Sequence, residues 1–153
     1  MKLLIVSTSV GSGHVRAAAA LEETARELHP DVQVKHVDMM QYVSPIYRAL
    51  YAGTYLPLTN RTPQFWGYLY KRTDVARAAR RQAKIIRAYD ALQFRHFRAM
   101  VAEYAPDVMI ATHFLPLQVY EPLRTEGKIS WPLVVVLTDF DAHVLWAQFT
   151  GDR

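Results

Sequence analysis

The sequence predicts an α/β fold: a parallel, Rossmann-like sheet with a helical insertion between its second and third strands. Two observations support this prediction. An apolar run, Leu3–Val6, leads through a glycine turn into an alanine-rich helical pattern, as in the first strand, turn and helix of a βαβ unit. Two later β-prone runs, Asp107–Thr112 and Leu133–Thr138, each follow a proline that breaks the preceding structure.

The elements can be placed in order. A buried strand is expected at Lys2–Thr8, a helix at His14–His29 that Pro30 ends, and a second strand at Val32–Asp38. These form a βαβ unit, for which a right-handed parallel crossover is expected. A helix at Leu115–Glu126 separates the last two predicted strands, and the insertion occupies about residues 44–103.

Composition limits the class of protein. With 153 residues and 51% hydrophobic content, the chain is long enough for one domain with a sizeable core. It contains no cysteine, which excludes disulfides and thiolate metal sites. No run approaches the roughly 20 consecutive apolar residues of a membrane-spanning helix. A soluble or surface-associated protein is therefore expected.

The positive charge is concentrated in one segment. Nine of the 18 Lys and Arg residues lie between Lys71 and Arg98, with only two acidic residues among them. On a helix, most of these bases would fall within an arc of about 120°. Such a stripe is either a solvated face or a surface for anionic lipid. Nucleic acid is a weaker alternative, because no recognised nucleic-acid module accompanies the stripe.

Aromatic residues are concentrated just before this segment. Residues 42–70 hold eight of the 18 aromatic side chains. Tyrosine and tryptophan favour interfaces with one apolar and one wet side, including the headgroup zone of a bilayer. The alternative is that these side chains belong to the core of a helical pair packed on the sheet.

The glycine turn is the first candidate site. Gly11 and Gly13 permit positive φ and close backbone approach, so amides at the start of the helix could face an anion. His14 stands at the same place, and an imidazole can take a proton from a hydroxyl group. We expect this imidazole to be open to solvent. The alternative is that the glycines only close a tight turn and His14 caps the helix.

Further polar residues follow the later strands. Asp139 and His113 are predicted to share the carboxyl edge of the sheet with His14, so that Asp139 could orient the histidine base. Asp139 could instead cap a helix. A metal site formed by His113, Asp139, Asp141 and His143 is a weaker alternative, because the spacing matches no standard ligand signature.

A dinucleotide site is another alternative. The turn does not complete the G-x-G-x-x-G pattern, because Arg16 occupies the third glycine position. Asp38, however, ends the second predicted strand, where a ribose-binding acid would be expected. A nicotinamide-linked Rossmann fragment therefore remains a weak alternative.

Four blocks together resemble a known family. They are SxGxGH after the first strand, the tyrosine-rich block from Ser44 to Asp74, PDVMIATHFLP and VVVLTDFDAHVLW. In this order they resemble the N-terminal domain of the monogalactosyldiacylglycerol synthase and processive diacylglycerol glucosyltransferase group. The resemblance implies a two-domain GT-B glycosyltransferase that moves a hexose from a UDP-sugar to diacylglycerol with inversion.

The resemblance also implies residue roles. The loop Gly11, Ser12 and Gly13 would face the donor, and His14, with Asp139 as the second candidate, would be the catalytic base. Side chains that would contact the acceptor or lipid are Tyr51, Phe65, Trp66, Tyr68, His113, His143 and Trp146. Those that would meet anionic headgroups are Arg77, Arg80, Arg81, Lys84 and Arg87.

The same resemblance sets the expected partners. They are diacylglycerol, anionic membrane lipids and a UDP-sugar as donor substrate, with no tightly bound cofactor, metal or nucleic acid. Residues 1–153 would form one acceptor-binding domain, peripheral on the cytoplasmic side of a membrane, with the donor-binding domain absent. A noncatalytic membrane module that lacks its donor domain is the alternative.

Overall fold

A parallel sheet forms the centre of the protein. The computed structural model describes residues 1–49, 51, 53 and 92–138. The four strands in this part of the chain are β1 (Lys2–Ser7), β2 (Gln33–Asp38), β3 (Val108–Ala111) and β4 (Leu133–Val135). They pair in parallel in the order β2-β1-β3-β4, with Val6 opposite Val37 on one side and Ala111 on the other. The predicted α/β, Rossmann-like fold class is confirmed.

The central strand β1 is buried on both faces. Leu3 and Ile5 point to one apolar cluster, while Leu4 and Val6 point to a second. Side chains alternate across a strand, so a continuous apolar run is what a strand covered on both sides requires. The run Leu3–Val6 was predicted as a buried strand, and helices cover both faces of the sheet around it.

One face is covered by α1 (Ser12–Leu28). Its small residue Ala18 is fully buried against the sheet, flanked by the partly buried Leu21 and Ala25. The helix ends where the His29 amide donates to the Ala25 carbonyl, immediately before Pro30. It begins at Ser12, two residues earlier than the predicted start.

The other face is covered by α2 (Arg95–Tyr104) and α3 (Leu117–Thr125). From α2 and the residue before it, Phe94, Phe97 and Val101 are buried in the larger cluster, together with Met109 of the sheet. Phe97 also meets the edge of Tyr42, with ring centroids 5.9 Å apart. These aromatic side chains attach the end of the insertion to the sheet.

The insertion lies between β2 and β3, as predicted. Its described parts are helical: a 3₁₀-helix (Met39–Tyr42), residues 45–49 and α2. Oδ1 of Asp38 accepts from the amides of Met40 and Ser9, both at 3.0 Å. The insertion therefore starts directly beside the loop between β1 and α1.

A chain of polar side chains connects α1 to the sheet. The Ser7 hydroxyl lies 2.9 Å from His36 Nε2, and His36 Nδ1 lies 3.1 Å from Glu22, which also pairs with Arg26. The hydrogen bond from Arg26, then the interactions with His36, lower the pKa of Glu22. The order serine, histidine, carboxylate is that of a nucleophile and its base, but Ser7 is only 1% exposed. We therefore interpret these contacts as structural, because they hold α1 on the sheet.

Removing the Phe97 ring should destabilise the protein strongly. Phe97 is 1% exposed and joins α2 to the sheet, so Phe97→Ala should lower the free energy of unfolding by about 3–5 kcal/mol. Urea denaturation followed by circular dichroism measures this change. The control is His96→Ala, an exposed position on the same helix, which should stay within about 0.5 kcal/mol of wild type. A similar loss in both variants would contradict the packing role of the ring.

Candidate functional site

The strand order marks one place on the sheet. From β1 the chain adds β2 on one side and then crosses to the other side of β1, where it adds β3 and β4. The direction in which successive strands are added therefore reverses between β1 and β3. In open α/β sheets, ligands bind outside the carboxyl ends of the strands at such a reversal. His14 follows β1 in the chain and Thr112 follows β3, and both lie at this edge.

His14 is held by groups from two distant parts of the chain, at Thr112 and Thr138. Its Nδ1 lies 2.8 Å from the Thr112 carbonyl oxygen and 2.5 Å from the Thr138 hydroxyl. The Thr138 hydroxyl donates to the same Thr112 carbonyl at 3.0 Å. The Thr112 hydroxyl donates to the His14 carbonyl at 2.9 Å. These bonds fix the imidazole against the ends of β3 and the segment that follows β4.

The contacts determine which ring nitrogen carries the proton. A carbonyl oxygen only accepts hydrogen bonds, so Nδ1 of His14 is the protonated nitrogen that donates to Thr112. The lone pair is then on Nε2. This is the tautomer that a general base needs if it is to take a proton through Nε2.

The expectation of a solvent-exposed His14 is wrong. The residue is only 7% exposed. A Cβ placed on Gly11 would lie 3.5 Å from Cδ2 of the ring and 3.9 Å from Nε2. The ring is buried because the oxygens of Thr112 and Thr138 hold it on the sheet edge while Gly11 lies beside its Nε2 side.

Neither glycine of the turn uses the positive φ that a glycine permits. Gly11 has φ −170°, which is extended backbone that any residue adopts, and Gly13 lies in the first turn of α1 without a positive φ. The start of the helix is nevertheless open. Ser12 and Gly13 are exposed, no side chain caps the helix, and its first turn has no acidic residue. The open amide end agrees with the prediction.

His113 lies at the predicted edge but is buried. It is 1% exposed, and its ring meets the His14 ring edge-on with centroids 4.6 Å apart. Its Nδ1 accepts from the Leu115 amide at 3.0 Å, which assigns the ring proton to Nε2. Burial, and secondly the charge of His14, lower the pKa of His113 from 6.5 to about 3. His113 thus packs against His14, and its contact with an acceptor stays a prediction.

Tyr51 is the described member of the predicted aromatic lipid contacts. It is half-buried, stacks on Tyr47 at 5.9 Å and packs against the larger apolar cluster, as the core alternative predicted. The remaining predicted site residues lie outside the described residues. They are Phe65, Trp66, Tyr68, Arg77, Arg80, Arg81, Lys84, Arg87, Asp139, His143 and Trp146.

Sequence reasoning missed Thr112 and Thr138. Each is the last residue of a predicted strand, so both were assigned to the sheet and not to a site. Among residues 1–49, 51, 53 and 92–138, no three His, Asp or Glu side chains come together as a metal site would require. In the same described ranges, no helix has both the length and the apolar character to cross a bilayer.

The chain was compared with known proteins. The model of the monogalactosyldiacylglycerol (MGDG) synthase family matches residues 14–153. Processive diacylglycerol beta-glucosyltransferases of Bacillus cereus (strain B4264) and Bacillus thuringiensis (strain Al Hakam) are each 28% identical to it. Each alignment covers 99% of this chain and 37% of the relative, so the chain spans about 37% of their length. No solved structure showed significant similarity.

The buried His113 should make the protein sensitive to mild acid. Its pKa is about 3 in the folded state and 6.5 when unfolded, so the unfolded chain binds the extra proton between these values. Stability is therefore complete above pH 6.5 and falls at lower pH, by about 2 kcal/mol between pH 6.5 and 5. Carboxylates such as Glu22, whose pKa lies below 4.5, affect stability only at lower pH.

Urea denaturation at pH 7, 6.5, 6, 5.5 and 5 measures this dependence. His113→Asn keeps an acceptor for the Leu115 amide and should flatten the decline, whatever its stability at pH 7. His29→Asn, which removes an exposed histidine, should keep the wild-type slope. Equal slopes in wild type and His113→Asn would show that His113 is not the group responsible.

Proposed function

The chain belongs to the monogalactosyldiacylglycerol synthase family, and we propose that it is the acceptor-binding, membrane-docking part of a glycosyltransferase that transfers a hexose from a UDP-sugar to diacylglycerol. The observation that supports this most directly is the family match, which covers nearly the whole chain. The names of these relatives describe glucosyl transfer to diacylglycerol. His14, at the reversal of strand order, supplies a group suited to that chemistry.

The donor site is assigned elsewhere in this proposal. The described α/β sheet is consistent with the N-terminal half of a GT-B glycosyltransferase, whose two domains face each other across a cleft. We assign the acceptor to these 153 residues and most of the UDP-sugar to a second domain. The open amides at the start of α1, at Ser12 and Gly13, would face the donor phosphates across the cleft.

His14 acts as the general base. Nε2 takes the proton of the acceptor hydroxyl while the hydroxyl oxygen bonds to the anomeric carbon of the sugar. The bond from that carbon to the phosphate oxygen breaks on the opposite face, so UDP leaves and the configuration inverts. Base assistance is needed because a neutral alcohol is a poor nucleophile. Asp139 is the second candidate for this role or for orienting the base.

The burial of His14 places a condition on this role. Because the residue is only 7% exposed, its ring meets an acceptor hydroxyl only if acceptor binding increases the distance between Gly11 and the Nε2 side of the ring. Hydrogen bonds of catalytic groups commonly reach their working geometry only in the substrate complex. The Nδ1 contacts with Thr112 and Thr138 would persist during such a movement, since they lie on the other side of the ring.

Replacing His14 should abolish most of the transfer activity. We expect His14→Ala, in the natural full-length protein, to lower kcat for transfer from UDP-glucose or UDP-galactose to diacylglycerol at least about 100-fold. Lipid binding should be unchanged. Release of UDP and formation of labelled glycolipid measure the rate. The control is His29→Ala, which changes an exposed histidine immediately after the end of α1 and should keep the wild-type rate.

Because His14 is buried, thermal denaturation must show that His14→Ala is folded at the assay temperature. A folded variant with unchanged turnover would remove His14 from the role of base. If the wild-type protein transfers no hexose yet binds lipid vesicles, the chain would be the noncatalytic membrane module instead.

Membrane docking is proposed for the cationic segment between Lys71 and Arg98. Each basic residue near an anionic surface contributes about 1 kcal/mol. Reversing Arg77, Arg81 and Lys84 to Glu should therefore weaken binding to phosphatidylglycerol-containing vesicles by at least about 100-fold. Sedimentation with vesicles of graded anionic content measures the binding.

A matched control reverses three exposed bases outside the segment. Arg16→Glu, Arg124→Glu and Lys128→Glu alter the net charge by the same amount, but should weaken binding far less. If both triple variants lose binding equally, net charge alone explains the attraction. If the wild-type protein does not sediment with anionic vesicles, the docking proposal fails.

A further inference from the structure

Thr138 lies close to the candidate base although it is 124 residues away in the chain. It follows β4, which ends at Val135, and its hydroxyl reaches back to the end of β3. There it contacts two atoms at once: the Thr112 carbonyl oxygen at 3.0 Å and His14 Nδ1 at 2.5 Å. Together with the bond from His14 to the same carbonyl, these contacts form a closed triangle.

One arrangement of protons satisfies all three contacts. The Thr138 hydroxyl has one proton, which it donates to the Thr112 carbonyl. Its oxygen then presents a lone pair to Nδ1, and the Nδ1 proton is shared between two oxygen acceptors. In the other tautomer, the Nδ1 lone pair would face the carbonyl lone pair at 2.8 Å, which is repulsive.

We propose that Thr138 is a positioning residue that gives the Nδ1 proton of His14 a second oxygen acceptor and so stabilises the imidazolium formed when Nε2 takes the acceptor proton. This inference rests on the function proposed above. The proton that moves is that of the acceptor hydroxyl, and it goes to Nε2, while the Nδ1 proton stays in place. Thr138 touches neither sugar nor lipid, and acts through His14.

The hydrogen bond between Thr138 and His14 becomes stronger when the His14 ring becomes charged during the reaction. In the resting state, the Nδ1 proton belongs to a neutral ring, and its hydrogen bonds are of ordinary strength. Once Nε2 is protonated, the ring is charged, and hydrogen bonds from a charged donor are about twice as strong. A second oxygen acceptor at Nδ1 therefore stabilises the charged state more than the resting state, which lowers the barrier rather than improving substrate binding.

The test uses Thr138→Val, which keeps the shape of the side chain and removes the hydroxyl, and Thr138→Ser, which keeps the hydroxyl. In the natural full-length protein, Thr138→Val should lower kcat at least about tenfold with KM unchanged, the scale of one hydrogen bond to a charged group. Thr138→Ser should restore most of the rate. Thr125→Val, an exposed threonine at the end of α3, should leave both constants unchanged.

A second measurement reports the tautomer itself. In protein labelled with ¹⁵N-histidine, long-range ¹H–¹⁵N spectra of wild type and Thr138→Ser should show His14 with Nδ1 protonated and Nε2 bare. Thr138→Val should keep this tautomer, because the Thr112 carbonyl remains, but should shift the Nδ1 resonance, because one of the two acceptors of its proton is lost. This readout would not change if Thr138 only filled space.

Three results would overturn the inference. They are a wild-type His14 protonated at Nε2 alone, a Thr138→Val variant with wild-type spectrum and kcat, or a Thr138→Ser variant as slow as Thr138→Val. If the wild-type protein transfers no hexose, the proposed function fails, and with it the catalytic part of the inference. The spectra then still decide whether Thr138 shares the Nδ1 proton of His14.

Discussion

The arrangement of the site depends on one backbone oxygen. The Thr112 carbonyl, immediately after β3, accepts from both His14 and Thr138 and so joins α1 to the segment after β4. Its position follows from the pairing of β1 with β3, in which Val6 lies opposite Ala111 and the Thr112 amide donates to Val6. A shift of that register by one residue would turn the alternating side chains to the wrong faces. The apolar pattern that forms the core therefore also sets the position of the imidazole.

The two histidines at this edge have different tasks because their surroundings differ. His113 has its Nδ1 occupied by the Leu115 amide and a pKa of about 3, so it stays neutral at any physiological pH. His14 instead has two oxygens at Nδ1, and its ring meets the His113 ring edge-on with centroids 4.6 Å apart. The neutral His113 ring therefore places no charge beside His14.

The sequence predicted the features that depend on residues close together in the chain. It did not predict the features that depend on contacts between distant residues. The four strands, the helix order and the insertion followed from apolar runs and prolines, which act within a few residues. The burial of His14 could not be predicted, because Thr112 and Thr138 come from positions far along the chain. The conformation of Gly11 could not be predicted for a related reason. A glycine permits positive φ but does not require it, and the early start of α1 made an extended conformation sufficient here.

Asp38 shows how the fold connects the insertion with the site. In a dinucleotide-binding fold, an acid at the end of the second strand would face a ribose. Here one of its oxygens already accepts from the amides of Ser9 and Met40, so the carboxylate fixes two backbone segments. Because both amides bond Oδ1, a ribose at this position would have to bind through the other oxygen, Oδ2. The two bonds also mean that the insertion begins at the loop that leads to His14. A movement of the insertion would therefore be passed first to the loop beside His14.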